Sequence, residues 1–242
     1  YWNLNSTVAF IGDMNWETGQ FVVDSYDEID GGLDFYAPQT CQGPNGERYM
    51  VAWMQMWQRS IPSHDLGHGW AGSMTVPRKL GLKDGRLVQE LPESVKNHFL
   101  VENAPETIVK GNQITIPARG KQNLFEIGAK SGRSFILSYG DESDADSALQ
   151  LIYDASNKRF SLSRDQFGHL ISGKESPEIQ SRWIQLDGEK DHHFSILRDT
   201  NSIEVFVDGK TLSMTFYETT ENPVYTFKAD EGVDLVVKAY QK

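Results

Sequence analysis

The side chains best suited to chemistry lie between Asp30 and Leu80. Two aspartates stand four apart, Asp30 and Asp34, and Tyr36 and Gln39 follow at once. Trp53, Gln55, Trp57 and Arg59 come next, and Trp70 follows, so three of the six tryptophans fall in this stretch. Aromatic faces beside carboxylates and amides suit a sugar. The C–H face of the sugar ring stacks on an indole, and its hydroxyls take paired donors and acceptors. The competing reading is plain packing, because aromatic clusters fill cores more often than they line sites. His64 and His68 are also four apart, but no third ligand stands at metal spacing. They read as solvated or sugar-contacting residues rather than a metal centre.

The elements that must hold these residues read as strands. Phe35 to Cys41 is a short aromatic run, and Gly43-Pro44-Asn45-Gly46 is a turn signal. Arg48 to Gln55 and Trp70 to Leu82 are apolar runs. Asp84-Gly85 marks a hairpin leading into a last strand, Arg86 to Leu91. Four antiparallel strands in this length make one blade of a β-propeller. The long loop from Arg59 to Gly69 is where site residues gather. Upstream, Ser6 to Gly12 and Gln20 to Val23 read as a hairpin around a turn at Asn15 to Gly19. Pro92 to Phe99 is polar and compatible with a helix, and reads as a linker.

Beyond the linker the pattern alternates steadily. Ile203, Val205 and Val207 share one face of a strand, and Val233, Leu235, Val237 and Ala239 share another. Asp208-Gly209 turns between two such runs. Further strands are expected near 113–117, 122–129, 133–140, 147–153, 158–163, 182–187, 192–198, 210–217 and 224–228. Short strands at this spacing predict a β-sandwich. The expected organisation is therefore all-β: blade residues 1–91, a linker at 92–99 and a sandwich at 100–242, the last large enough to fold by itself.

Composition narrows the partners. Of the 242 residues, 38% are hydrophobic and 24% charged, ordinary values for a globular chain. A net charge of −11 argues against nucleic acid and anionic membrane as partners. No run of 18 apolar residues is present, so no transmembrane helix is expected. The single cysteine, Cys41, excludes an internal disulfide and reads as a small buried hydrophobe. The chain opens at Tyr1 without Met, so the compartment is left open.

DFYAPQT, the strand ending WMQMW, and GWAGSMTVPRKL resemble the last blade of glycoside hydrolase family 32, the β-fructosidases. HHFSILRDTNSIEVFVDGKTLSMTF resembles the sandwich of the same family. The resemblance implies a five-bladed propeller carrying the active site, followed by a lectin-like sandwich. It also implies hydrolysis of terminal β-fructosides in sucrose or fructans by retaining double displacement, with no cofactor. Such a reaction needs two carboxyl groups about 5–5.5 Å apart. The family's nucleophile and acid/base motifs are not in these 242 residues. Pro44-Asn45-Gly46 imitates only the tail of the first, Arg198-Asp199-Thr200 lacks the family's Pro, and Cys41 follows Thr40 rather than Glu. The expectation is therefore the last part of a β-fructosidase, inactive alone.

By resemblance, Asp30, Tyr36, Gln39 and Trp57 are the sugar-binding candidates, with Asp34 more structural. No compact basic cluster suggests a phosphorylated sugar. The alternatives are a carbohydrate-binding module or a purely bracing sandwich. An aromatic row on the sandwich surface would favour the former, but Tyr139, Tyr153, Trp183 and Tyr217 are scattered in sequence. A single blade leaves a bare face, expected around Phe35, Met50, Trp53 and Met74. Either the remaining blades or self-association should cover it.

Overall fold

The computed structural model describes residues 6–55, 57, 59–100, 107–109, 112–144, 146–173, 179–230 and 236–241. In chain order the strands open with a hairpin, β1 (Val8–Asn15) and β2 (Gln20–Glu28). A four-stranded sheet follows: β3 (Tyr36–Gln42), β4 (Arg48–Trp53), β5 (Arg78–Lys83) and β6 (Arg86–Glu90), with a short helix α1 (Pro62–Asp65) between β4 and β5. Helix α2 (Glu93–Leu100) then leads into twelve strands: β7 (Thr107–Val109), β8 (Gln113–Pro117), β9 (Asn123–Ala129), β10 (Phe135–Gly140), β11 (Ala148–Asp154), β12 (Arg159–Ser163), β13 (Ser181–Gln185), β14 (His192–Asp199), β15 (Ser202–Val207), β16 (Lys210–Thr215), β17 (Val224–Ala229) and β18 (Val236–Gln241). They form two antiparallel six-stranded sheets, ordered β13-β12-β11-β10-β17-β8 and β16-β15-β14-β9-β18-β7. The chain thus has a propeller blade with a preceding hairpin, followed by a β-sandwich.

Alternation builds the sandwich core. Phe135, Leu137 and Tyr139 of β10 face inward, as do Phe160 and Leu162 of β12, and they meet Phe125, Phe194, Ile196 and Val205 of the opposite sheet. Aromatic edges interlock there, as with Phe135 and Phe194 at 5.0 Å and 82°. Turn chemistry sets the register. Asp84 and Gly85 (φ 50° and 70°), and again Asp208 and Gly209 (φ 52° and 78°), take the left-handed conformations of a two-residue hairpin. Outside the second sheet, Phe99 and Val95 of α2 pack on Leu124, Leu197, Phe206 and Tyr240.

Several expectations need correction. The strand predicted over Trp70 to Leu82 begins only at Arg78. Pro77 cannot donate to a ladder, and Gly69 and Gly72 take φ of 86° and 80°. Residues 73–75 still lie along β4, through Met54 N to Ser73 O at 2.8 Å and Thr75 N to Ala52 O at 2.9 Å. Cys41 is exposed rather than buried, because β3 is the edge strand of the blade. Strand β7 was not anticipated, and Val233 and Leu235 of the last predicted strand lie outside the described residues. The bare face is only partly where it was expected, since Met74 is 57% exposed. Phe35 and Met50 are 3% exposed, closed over by Ile29, Ala52 and Leu80. A further open apolar surface is the β1–β2 hairpin, where Phe10, Phe21 and Tyr26 stay 59%, 44% and 58% exposed.

Residues 29–34 join the blade to the sandwich. They run along β16, the free edge of the second sheet, and satisfy it. Gly31 N donates to Thr211 O at 2.8 Å and Leu33 N to Ser213 O at 2.9 Å. In return Ser213 N and Thr215 N donate to the carboxylates of Asp30 and Asp34, both at 2.9 Å. The exposed-edge problem of a sheet is thus solved by carboxylates and backbone of the other body. Leu33 is fully buried within the sandwich core. So close an approach requires glycine: a Cβ on Gly32 would fall 1.9 Å from Ser213 O, a backbone atom that cannot swing aside. Gly32→Ala should therefore destabilise the chain by at least about 2 kcal/mol in urea unfolding. A loss under about 0.5 kcal/mol would mean that the seam is loose.

Candidate functional site

Three rings meet where β3 and β4 end. Tyr36 opens β3 and faces Trp53 at the close of β4 in register. Trp57 sits in the turn just beyond. The centroid distances are 6.4 Å for Tyr36–Trp53, 6.3 Å for Tyr36–Trp57 and 5.4 Å for Trp53–Trp57, all edge-on. Edge-on packing leaves ring faces free rather than stacking them against each other. Trp57 is 58% exposed, and Met74, bridged to Trp53, is 57% exposed. An exposed indole supported by two further rings makes a flat apolar platform at the end of the blade.

Local devices fix this platform. A bulge between Tyr36 and Gln39, with Ala37 at φ 47°, turns the start of β3. Gly72 lets the chain pass the Trp53 indole: a Cβ there would fall 2.8 Å from Nε1. Buried Gln55 shapes the turn that carries Trp57, donating from Nε2 to Ser60 O at 3.0 Å and Arg59 O at 3.4 Å.

The carboxylates do other work. Asp30 Oδ1 accepts from Gly32 N at 2.7 Å and Ser213 N at 2.9 Å. Its Oδ2 accepts from Arg78 Nη1 and Ser213 Oγ at 2.8 Å, and from Thr211 Oγ1 at 3.1 Å. Five bonds on a buried carboxylate leave no lone pair for a sugar hydroxyl. The sugar-contacting role expected of Asp30 is therefore corrected to a brace between blade and sandwich. Asp34 is fully buried. Its Oδ2 accepts from Thr215 N, Thr215 Oγ1 and Arg164 Nη1, and its Oδ1 lies 3.8 Å from Arg59 Nη1. Asp34 thereby links the seam to both ends of the platform, since Tyr36 follows it by two residues and Arg59 follows Trp57 by two.

Arg78 is the centre of the seam and was not anticipated. It is fully buried, with Phe35 and Phe206 rings 4.8 Å and 5.7 Å from its guanidinium carbon. Its nitrogens donate to Asp30, Gln89, Thr211, Ser213 and Glu204, the last at 2.8 Å. Burial pushes the Glu204 carboxyl above its ordinary range, and Arg78 only partly offsets this. Burial alone would lower the Arg78 pKa, but Asp30 and Glu204 outweigh it and raise it further. Two further residues outside the sequence reading, Thr211 and Ser213, are the small hydroxyls of β16 that face this cluster. A sequence signal existed for them: Lys210–Thr215 alternates Thr, Ser, Thr with Leu and Met, a polar face opposite a core face.

The remaining candidates are dispersed. Gln39 is exposed beyond the bulge, and its amide donates to Pro38 O at 3.0 Å. No ring contact joins it to the platform among the described residues. Trp70, 47% exposed, packs instead on His68 at 5.2 Å, and His68 lies 6.4 Å from Tyr217 of the sandwich. Among the described residues no cluster of His, Cys, Asp and Glu could hold a metal ion.

Comparison with known proteins agrees with both bodies. Residues 1–91 match the glycosyl hydrolases family 32 N-terminal domain, and residues 90–240 match the glycosyl hydrolases family 32 C terminal. A sucrose-6-phosphate hydrolase of Escherichia coli is 29% identical over 91% of this chain and 45% of its own length. A raffinose invertase of Escherichia coli is 30% identical over 90% and 44%. The chain therefore spans less than half the length of these curated relatives. Among solved structures, a Bombyx mori β-fructofuranosidase superposes with a TM-score of 0.81, at 21% identity, over 100% of this chain and 48% of that one. The sucrose-6-phosphate hydrolase of Lactobacillus gasseri gives 0.77 at 20% identity, over 96% and 46%. With both of its parts matched in order, the chain belongs to glycosyl hydrolase family 32.

Proposed function

We propose that these 242 residues are the last blade and the sandwich of a retaining β-fructofuranosidase acting on terminal β-fructosides such as sucrose. The observation that carries this is the half-exposed Trp57, held edge-on against Tyr36 and Trp53 in a chain of this family. Tyr36 and Trp57 offer the sugar its apolar wall, and Gln39 offers an amide at the rim. The nucleophile and the acid/base carboxyl come from propeller segments outside this sequence. The sandwich holds the blade in place through Arg78 and Arg164, and the other blades complete the substrate funnel.

A complementation assay tests this. The chain alone should release no fructose from sucrose above the buffer control. Mixed or co-expressed with the N-terminal half of a family relative, which supplies the other blades, it should restore hydrolysis. Trp57→Ala should then raise KM about tenfold or more, as expected for a lost anchoring ring. Fructose release by the chain alone would overturn the assignment of the catalytic carboxyls. Unchanged KM in the Trp57→Ala mixture would remove the platform from the site.

A further inference from the structure

The outer face of the first sandwich sheet is uncovered: no described element packs on it. Two adjoining strips of its side chains lie beside a third that carries Gln185, Arg159 and Asp154. In one strip, the register brings together Ser181, Ser163, Gln150, Ser138, Thr226 and Thr115, one from each of the six strands. All six are neutral hydrogen-bonding groups, in a chain whose net charge is −11. The charges of this face, Arg159, Asp154 and Lys228, stand outside this row. Among the described residues, the side chains of Ser138 and Gln150 make no hydrogen bond to the protein although they are half-buried. Six strands at about 4.8 Å span roughly 24 Å.

The adjoining strip runs Trp183, Ser161, Ile152, Ile136, Lys228 and Gln113, and its apolar members, Trp183, Ile152 and Ile136, lie within its first four strands. Trp183 is the exposed aromatic of this face, at 50%, whereas Tyr139, Tyr153 and Tyr217 are buried. The Arg159 guanidinium stacks 4.1 Å over the indole and fixes its orientation. On the other face of β13, Arg182 pairs with Glu28 of the blade hairpin at 2.9 Å, so Trp183 points away from the seam. At the far corner, past Thr115 and Thr226, Pro117 and Val224 line an open cavity of about 670 Å³ whose other walls include the acidic Asp141, Glu142 and Glu221.

We infer that this face is a second, non-catalytic carbohydrate site that holds a neutral fructan chain. The sugar rings lie along the Trp183–Ile152–Ile136 strip, and their hydroxyls meet the Ser/Gln/Thr row. A pyranose or furanose chain has this two-sided character, apolar on its C–H faces and hydroxylated at its edges. Its length calls for an oligomer rather than a monosaccharide. The choice of fructan rests on the β-fructofuranosidase reading above: a polymer held by the sandwich feeds the funnel of the same molecule. The site itself is separate from the Tyr36–Trp53–Trp57 platform.

Native affinity electrophoresis of the 242-residue chain tests the inference, with inulin, levan or dextran cast in the gel. Inulin or levan should slow the chain, and dextran should not. Trp183→Ala should weaken the retardation about tenfold or more, the size of one stacked-ring contact of roughly 1.4 kcal/mol. Gln150→Glu should weaken it through a charge in the neutral row. Trp57→Ala should leave it in place. Both sandwich substitutions are on the surface, and an unchanged melting temperature will show that the fold is intact. No retardation by either fructan, equal retardation by dextran, or loss with Trp57→Ala but not with Trp183→Ala would each overturn the inference. Sucrose hydrolysis in the complemented mixture reads the catalytic proposal separately. Trp183→Ala should leave that rate unchanged.

Discussion

Arg78→Ala should cost about 3–5 kcal/mol of stability, the loss seen when one partner of a buried ion cluster is removed. The guanidinium neutralises Asp30 and Glu204 where neither meets water, and it holds Gln89, Thr211 and Ser213 in place. Without it two carboxylates remain in an apolar seam between Phe35 and Phe206. Arg78→Lys should recover only part of the loss, since an ammonium cannot reach both acids in the planar fork geometry. The effect should depend on pH, with a definite sign. Burial already holds the folded pKa of Glu204 above its unfolded value. Such a group contributes stability below the unfolded pKa, near 4.5, and loses it as pH rises through the folded value. Removing the cation lifts the folded value further. The Arg78→Ala penalty should therefore be smaller at pH 5 than at pH 8 in matched urea titrations. A penalty under about 1 kcal/mol, or one independent of pH, would show that the seam is not held by this cluster.

The second large effect is association. On the β1–β2 hairpin, Phe10 lies opposite Tyr26 and Met14 opposite Phe21, so these four side chains share one apolar face. The Phe10 and Tyr26 rings meet at 5.9 Å, yet both remain more than half exposed. Trp16, at the turn, is 86% exposed. A face on the order of 400 Å² corresponds to roughly 10 kcal/mol of unrealised burial at about 25 cal/mol per Å². That is enough to offset much of the entropy lost on association. In light scattering at tens of micromolar, the chain should therefore run heavier than its 27.4 kDa. The double substitution Phe10→Glu, Phe21→Glu should return it to a monomer with unchanged circular dichroism. A wild-type chain that is monomeric at all concentrations would refute this reading of the hairpin. In the complementation assay the same face is where an added propeller half should dock, so the double variant should complement poorly.

Much of this architecture is written in local pattern. The strand at 113–117 was predicted with the bounds found, and the Asp-Gly turns at 84–85 and 208–209 follow from residues that tolerate left-handed φ. Period-two alternation named the inward faces of β15 and β18 because side chains in a strand can point only two ways. The aromatic residues of 36–57 read along the chain either as a sugar-contacting surface or as core packing, and composition does not separate the two. What the sequence did not hold was the destination of each polar group. Asp30 looks like a site carboxylate in one dimension and Asp34 like a structural one, and a carboxylate beside Gly reads the same whether it meets a sugar or a strand edge. Only the fold brings Ser213 and Thr215, some 180 residues away, into hydrogen-bond range and consumes them. Nothing along the chain marks Arg78 as buried, and only the fold brings Asp30 and Glu204 onto its guanidinium. The uncharged row from Ser181 to Thr115 is invisible along the chain, because strand order, not sequence order, lays its members side by side. Local preference is fixed by each residue and its neighbours. Burial and partnership depend on contacts between distant segments, and the energy that decides a polar side chain's role lies in those contacts.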